Sequence, residues 1–476
     1  MTQMTFDVQD ALNIRKSFQG DRFRPRYHFM PPHNWMNDPN GVSCIDGEYH
    51  IFYQHNPTDP TWGNMTWGHA RSRDLLHWED LPHAIAPTPG SFDEDGCFSG
   101  TLFSEKGKHT LYYTGYHFDR QTQCTASSLD LIHWEKNKHN PILPHAPEGV
   151  GPNDFRDPWV FRHQGMVYML VGASIDSELG SALLYAREPD ESWLYLGELF
   201  RAPHRKYGSM WECPNFFQIG EKWILIVSVW PKLKVHVFVG TFQEGRFHPE
   251  WDDDLDRDSS SYAHLTCQDH LGRYINWGWI DEQRDRDLMQ AAGWAGVMSL
   301  PRMLDLDDQG HLTLSPVPEL QKLRQQERSF SGLVRAGDSN PRSQFKATHS
   351  EIEVTFDLQD QKPVGICLLT APDGSEETRL MYDPLARKLT LDRSRCSLNP
   401  KTSRQNQSVP LYLRPAEKLQ LRIFIDGSVL EIYANERVCL TSRIYPTLES
   451  SVYSKIFAQG DASWELKVWD LASIWE

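Results

Sequence analysis

The chain has 476 residues, more than one ordinary domain needs, so length alone suggests two or three domains, or one large all-β unit with a partner domain. Its 48 Lys and Arg against 64 Asp and Glu give a formal charge of −16, which argues against nucleic acid and against an anionic membrane surface, since both demand a basic face. A neutral small ligand suits that balance, and 17 Trp, 17 Tyr and 22 Phe can line a sugar site as readily as a core.

Residues 1–24 form an N-terminal extension without an apolar h-region, and no later apolar run approaches the ~18 residues of a membrane span. The eight cysteines are scattered, with no close pair at metal spacing. Both features lead to the expectation of a cytoplasmic protein with reduced thiols, monomeric or homodimeric.

The first motif is WMNDPNG at 35–41, where Asp38 sits between breaker dipeptides and reads locally as a turn residue. Next come apolar, aromatic strand patterns that recur along the chain: 49–55, 109–116, 166–173, 222–229 and 273–280. A second element keeps step with them. SRDLLHWE at 72–79 returns as SLDLIHWE at 128–135, 56 residues on, with a weaker echo in DESWLYLG at 190–197. A repeat of about 50 residues with several strands points to propeller blades, and five copies predict five blades over 25–314. The paired His77-Trp78 and His133-Trp134 then mark equivalent places in two blades rather than a metal site.

Beyond residue 314 the pattern changes. Residues 315–330 read as a Pro-bounded linker with a helical pattern, and 331–476 hold alternating strands, including a hairpin turn at Asp426-Gly427. The predicted fold is all-β: a five-bladed β-propeller followed by a C-terminal β-sandwich.

Three acids fall in the early blades: Asp38, Asp157 in FRDPWVF (155–161) and Glu212 in MWECPNFF (210–217). Each alone has a structural explanation as a turn former, a salt-bridge partner of Arg156 or a buried carboxyl. Their spacing follows the repeat, so in a closed ring they could share one funnel. Two carboxylates flanking a glycosidic bond are the minimum for glycoside hydrolysis, and a third can stabilise the transition state. Burial among Met210, Trp211, Phe216 and Phe217 is expected to raise the pKa of Glu212, as suits a general acid.

WMNDPNG, RDP and the Glu-Cys pair, in that order before a β-sandwich, resemble glycoside hydrolase family 32, the invertases, inulinases, levanases and sucrose-6-phosphate hydrolases. FYQHNP (52–57), WGHA (67–70), CFSGT (97–101), GWAGVMSLPR (293–302) and LRIFIDGSVLEIYAN (421–435) extend the resemblance. It implies Asp38 as nucleophile toward a β-fructofuranosyl unit, Glu212 as acid and base, and Asp157 as transition-state stabiliser held ionised by Arg156, with retention of configuration. It further implies a fructose pocket of Asn37, Gln54, Trp62, Phe98 and Ser99, with Tyr262 tuning Glu212, Trp279 closing an aromatic wall and Cys213 beside the acid. No cofactor or metal is required.

The sequence departs from the family pattern at Ser259-Ser260-Ser261, where an acid is usual, and at Ser228-Val229-Trp230-Pro231. Both changes are expected at the leaving-group site, with Trp230 as a candidate sugar platform. A fructosyltransferase, a sucrose-6-phosphate hydrolase, a non-catalytic sugar-binding propeller and an inverting five-bladed arabinosidase are the competing readings. The preserved acids weigh against the third, and the WMNDPNG and Glu-Cys motifs against the last.

Overall fold

A computed structural model describes residues 8–257, 260–335 and 344–475. Five antiparallel sheets form the propeller. Their innermost strands are Asn34–Ile45, Gly96–Glu105, Val150–His163, Met210–Ile219 and Ser261–Gln268. Each contacts the next, and the fifth returns to the first. The ring is closed by a short parallel pairing of Asn34 and Trp35 with Trp294 and Ala295.

The apolar repeats of the sequence are the second strands of the blades: Glu48–Asn56, Lys108–His117, Met166–Ile175, Lys222–Trp230 and Tyr274–Ile280. These lie inside their sheets with both faces covered, which is why they read as apolar runs rather than alternation. The Ser-x-Asp repeat is a turn into the outer strand. Asp74 accepts the backbone N–H groups of Leu76 and His77 and meets His77 Nδ1 at 2.8 Å. Asp130 does the same for Ile132 and His133, with His133 Nδ1 at 2.7 Å.

The sandwich packs two six-stranded sheets over a core of its own. The linker expected over 315–330 is shorter and packed. Leu312–Pro316 is still a propeller strand, Pro318–Leu323 is a 3₁₀ turn that buries Leu320 and Leu323, and Arg324–Val334 is an edge strand of the sandwich. That edge strand exposes most of its polar side chains, so its sequence imitates a solvated helix. The N-terminal segment is docked as well. In the helix Val8–Ser17, Arg15 chelates Asp80 of the first blade at 2.8 Å and lies over the Trp475 ring near the other end of the chain.

Buried charges join propeller to sandwich. Arg302 reaches Asp256 at 3.1 Å and Glu431 at 3.0 Å, all three solvent-free. Asp426 accepts the backbone N–H groups of Arg26, Tyr27 and His28 and pairs with His28 Nδ1 at 2.8 Å. Removing one partner of such a set strands a charge in low dielectric, so the set fixes one docking geometry.

Candidate active site

All five inner strands carry a one-residue bulge near the funnel. The ladder slips between Met36 and Pro39, Phe98 and Gly100, Arg156 and Trp159, Glu212 and Asn215, and Tyr262 and Leu265. The local sequence explains the slips. Pro158 and Pro214 have no N–H to give to the ladder and sit inside the slip, and Pro39 is the residue at which pairing resumes, opposite Tyr53. In the second blade a Cβ on Gly100 would come within 1.9 Å of the Tyr112 carbonyl, so only glycine fits. Asp157, Cys213 and Ala263 take positive φ of 64°, 45° and 52°, a strained backbone for non-glycine residues. A bulge lets consecutive side chains leave the strict in-out alternation, and the acids reach the funnel this way.

The funnel has room of about 620 Å³. Asp38, Asp157 and Glu212 all face it, together with the expected Asn37, Gln54, Trp62, Phe98, Ser99, Arg156, Trp230, Tyr262 and Trp279. Asp38 Oδ2 accepts from Ser99 Oγ at 2.6 Å, and Oδ1 from Asn37 Nδ2 at 3.0 Å. Asn37 is in turn held by the Trp35 indole N–H at 2.8 Å. Glu212 is held on both oxygens. Arg156 donates Nε and Nη2 to Oε1 at 3.0 and 2.6 Å, and Tyr262 donates its hydroxyl to Oε2 at 2.5 Å. Asp157 Oδ2 accepts the Cys213 backbone N–H at 2.9 Å.

Burial pushes the Asp38 carboxyl up to about 6; hydrogen bonds from Ser99 and Asn37 oppose it and the charge of Glu212 adds to it. Burial raises Asp157 further, to about 7, against the pull of Arg156 and with the charges of Glu212 and Asp38 adding. The Tyr262 phenol is raised by burial and then by Glu212, so it remains a donor. Among the described residues no group of three or more His, Cys, Asp or Glu is placed to hold a metal ion.

Three expectations need correction. Arg156 hydrogen-bonds Glu212 rather than Asp157, whose carboxylate meets the Cys213 amide instead, although the guanidinium charge still pulls the Asp157 carboxyl down as expected. Glu212 is not enclosed by the neighbouring aromatics: its side chain is 17% exposed in the funnel, while Trp211 and Phe216 point into the blade core. Cys213 does not line the funnel. It lies beneath the acids, its Sγ 3.7 Å from Asp38 Oδ2 and 3.6 Å from Asp157 Oδ2, and burial raises its thiol far above the ordinary range.

The departures at serine also move. Ser260 is buried and its hydroxyl accepts from Gln407 of the sandwich at 3.4 Å; Ser228 is buried behind the wall, and Ser259 lies outside the described residues. Trp230 of the same stretch does reach the funnel and is 46% exposed. The sequence reading passed over Trp35, Met65, Tyr116, Gln121, Asn153, Asp154 and Leu233, which complete the lining. Asp154 falls in a second irregular stretch of its strand, between the paired Val150 and Phe155, where period-two alternation gives no guide.

The N-terminal domain of glycosyl hydrolases family 32 matches residues 28–316, and the family's C-terminal domain matches 319–470. The chain belongs to glycoside hydrolase family 32. It is a β-fructofuranoside hydrolase of that family. Among its relatives in the family, a sucrose-6-phosphate hydrolase of Zymomonas mobilis is 36% identical across 93% of this chain and 91% of its own length. Raffinose invertase of Escherichia coli is 32% identical across 97% of this chain and 98% of its own. Fructan 1-exohydrolase IIa from Cichorium intybus superposes with a TM-score of 0.86 at 26% identity, covering 95% of this chain and 98% of that one. A family 32 β-fructofuranosidase of Bombyx mori gives 0.82 at 27% identity over 98% of both chains, and a mutant of it has been solved with sucrose.

Proposed function

We propose that this family 32 hydrolase releases terminal, non-reducing β-D-fructofuranosyl units from sucrose or short fructo-oligosaccharides by double displacement. The observation that carries the reading is the convergence of Asp38, Asp157 and Glu212 from three blades on one funnel. Asp38 attacks the anomeric carbon while protonated Glu212 gives its proton to the leaving oxygen. The fructosyl ester on Asp38 is then hydrolysed by a water that Glu212 deprotonates, with net retention.

The other groups have supporting parts. Ser99 and Asn37 hold the two oxygens of Asp38 and so aim its attack. Arg156 and Tyr262 orient Glu212 toward the leaving oxygen. Asp157, fixed by the Cys213 amide, supplies negative charge next to the developing oxocarbenium centre. Two buried polar atoms of the funnel, Gln54 Oε1 and Trp279 Nε1, have no hydrogen-bond partner among the described residues.

The test is fructose release from sucrose and 1-kestose by the wild type and by Asp38→Ala, with anomer assignment by NMR immediately after mixing. Release of β-fructofuranose, abolished in the variant, is the expected result. Initial release of the inverted anomer, or release surviving Asp38→Ala, would overturn the assignment.

A further inference from the structure

The chemical class of the leaving group can be read from the charges around the funnel; this step rests on the hydrolase reading above. Four carboxylates line the funnel, Asp38, Asp154, Asp157 and Glu212, against a single guanidinium, that of Arg156. That guanidinium is committed: it donates to Glu212, to the Asn153 carbonyl at 3.1 Å and to Gln121 at 3.4 Å. Asp154 is different from the other three acids. Its carboxylate has no hydrogen-bond or ion-pair partner among the described residues, and it folds over Gly151, where a Cβ would meet its Oδ2 at 2.9 Å. A larger residue at 151 would displace it.

Lys232, Lys234 and His236 lie past Trp230, each with a partner, and on the Trp62 side Arg286 reaches Thr61 at 3.4 Å. Lys232 Nζ donates to the Lys206 carbonyl at 2.6 Å, and Lys234 pairs with Asp254 at 3.0 Å. His236 sits between Asp252 and Asp254 at 2.9 and 3.0 Å. The exposed funnel surfaces are aromatic instead, with Trp62 57% and Trp230 46% exposed. Aromatic faces stack on uncharged sugar rings, while a phosphate dianion needs free donors and cations.

We infer that the leaving group is an uncharged sugar, and that the unpaired Asp154 carboxylate in the funnel wall selects against a leaving group carrying phosphate. The enzyme therefore prefers sucrose to sucrose 6-phosphate. Asp154 acts as a specificity determinant by repelling a second anion at partly exposed range, an interaction worth about tenfold in rate and weakened by salt.

The experiment measures kcat/KM for sucrose and for sucrose 6-phosphate with the wild type, Asp154→Asn and Asp154→Ser, at low and high ionic strength. The expected wild-type ratio favours sucrose by at least about tenfold at low salt and narrows as salt is added. Asp154→Asn and Asp154→Ser should each lower the ratio severalfold, mainly through KM for the phosphorylated substrate. A wild type that prefers sucrose 6-phosphate overturns the inference and points to the lysines beyond Trp230. A ratio unmoved by both substitutions removes Asp154 from it. Hydrolysis of neither substrate would instead defeat the functional reading on which it rests.

Discussion

Replacing Asp157 by Asn should stabilise the protein while abolishing its activity, and the gain should depend on pH in a defined way. Asp157 is 4% exposed, and burial, opposed by Arg156 and reinforced by Glu212 and Asp38, lifts its carboxyl from the ordinary 3.8 to about 7. The folded value lies above the unfolded one, so the folded state holds the proton more tightly. Below the unfolded value the group costs nothing; above the folded value the full penalty of the buried anion is present. That gap converts to about 4 kcal/mol, and its growth between about pH 5 and about pH 8 to about 2.5 kcal/mol. Asn keeps an acceptor for the Cys213 N–H and carries no charge, so it removes the penalty. Thermal unfolding of wild type and variant, followed side by side across that pH range, should show the Tm of the variant pulling ahead by about 5 °C at the alkaline end. A Tm difference that stays flat with pH, or a variant less stable at the alkaline end, would refute the reasoning.

Other expectations follow from the same geometry. Asp157 must be charged to stabilise the transition state and is raised to about 7, and Asp38 must be ionised to attack and is raised to about 6, so kcat/KM should begin to fall below about pH 7 and steepen toward about a hundredfold per pH unit below about 6. Ser99→Ala removes a bond that lowers Asp38 and should move this acid limb to higher pH; a limb that stays put would count against Asp38 as a titrating group. Tyr262→Phe loses the hydroxyl that orients Glu212, a hydrogen bond of about 0.5–1.5 kcal/mol, so kcat should drop about two- to tenfold with little change in KM. Glu431 is buried, yet Arg302 and His28 outweigh burial and push it down to about 2. Its contribution is present above the unfolded value and lost as pH falls through the folded one. Glu431→Gln should cost about 3–5 kcal/mol at neutral pH, seen as a lower Tm in a thermal melt.

The architecture was legible because the second strand of each blade is covered on both sides and so repeats as an apolar run with a constant period. The acids were legible for a related reason: Asp38 and Asp157 precede a proline inside a strand, and Glu212 precedes Cys213-Pro214, a combination that ordinary ladder pairing does not tolerate. What the sequence could not show was which way each side chain turns after the bulge. Period-two alternation fails there, and so Arg156 was paired with its neighbour Asp157 when its partner is Glu212, 56 residues away in sequence. Cys213 was placed in the pocket for the same reason. The edge strand Arg324–Val334 misled in another way, since one polar face in solvent looks alike in a strand and a helix.

The closure of the ring has a kinetic consequence. Asn34 and Trp35 open the first blade, but the strand that pairs beside them is Trp294–Ala295, and the backbone of Arg26, Tyr27 and His28 waits for Asp426. During synthesis the leading blade must remain with an open sheet edge until nearly two-thirds of the chain has emerged. Pairings of such long sequence separation form slowly, and an exposed edge can meet other chains in the interval. Asp38 and Glu212 therefore come into register only late, so truncated or nicked chains lacking the Trp294–Ala295 segment should accumulate blades without accumulating turnover.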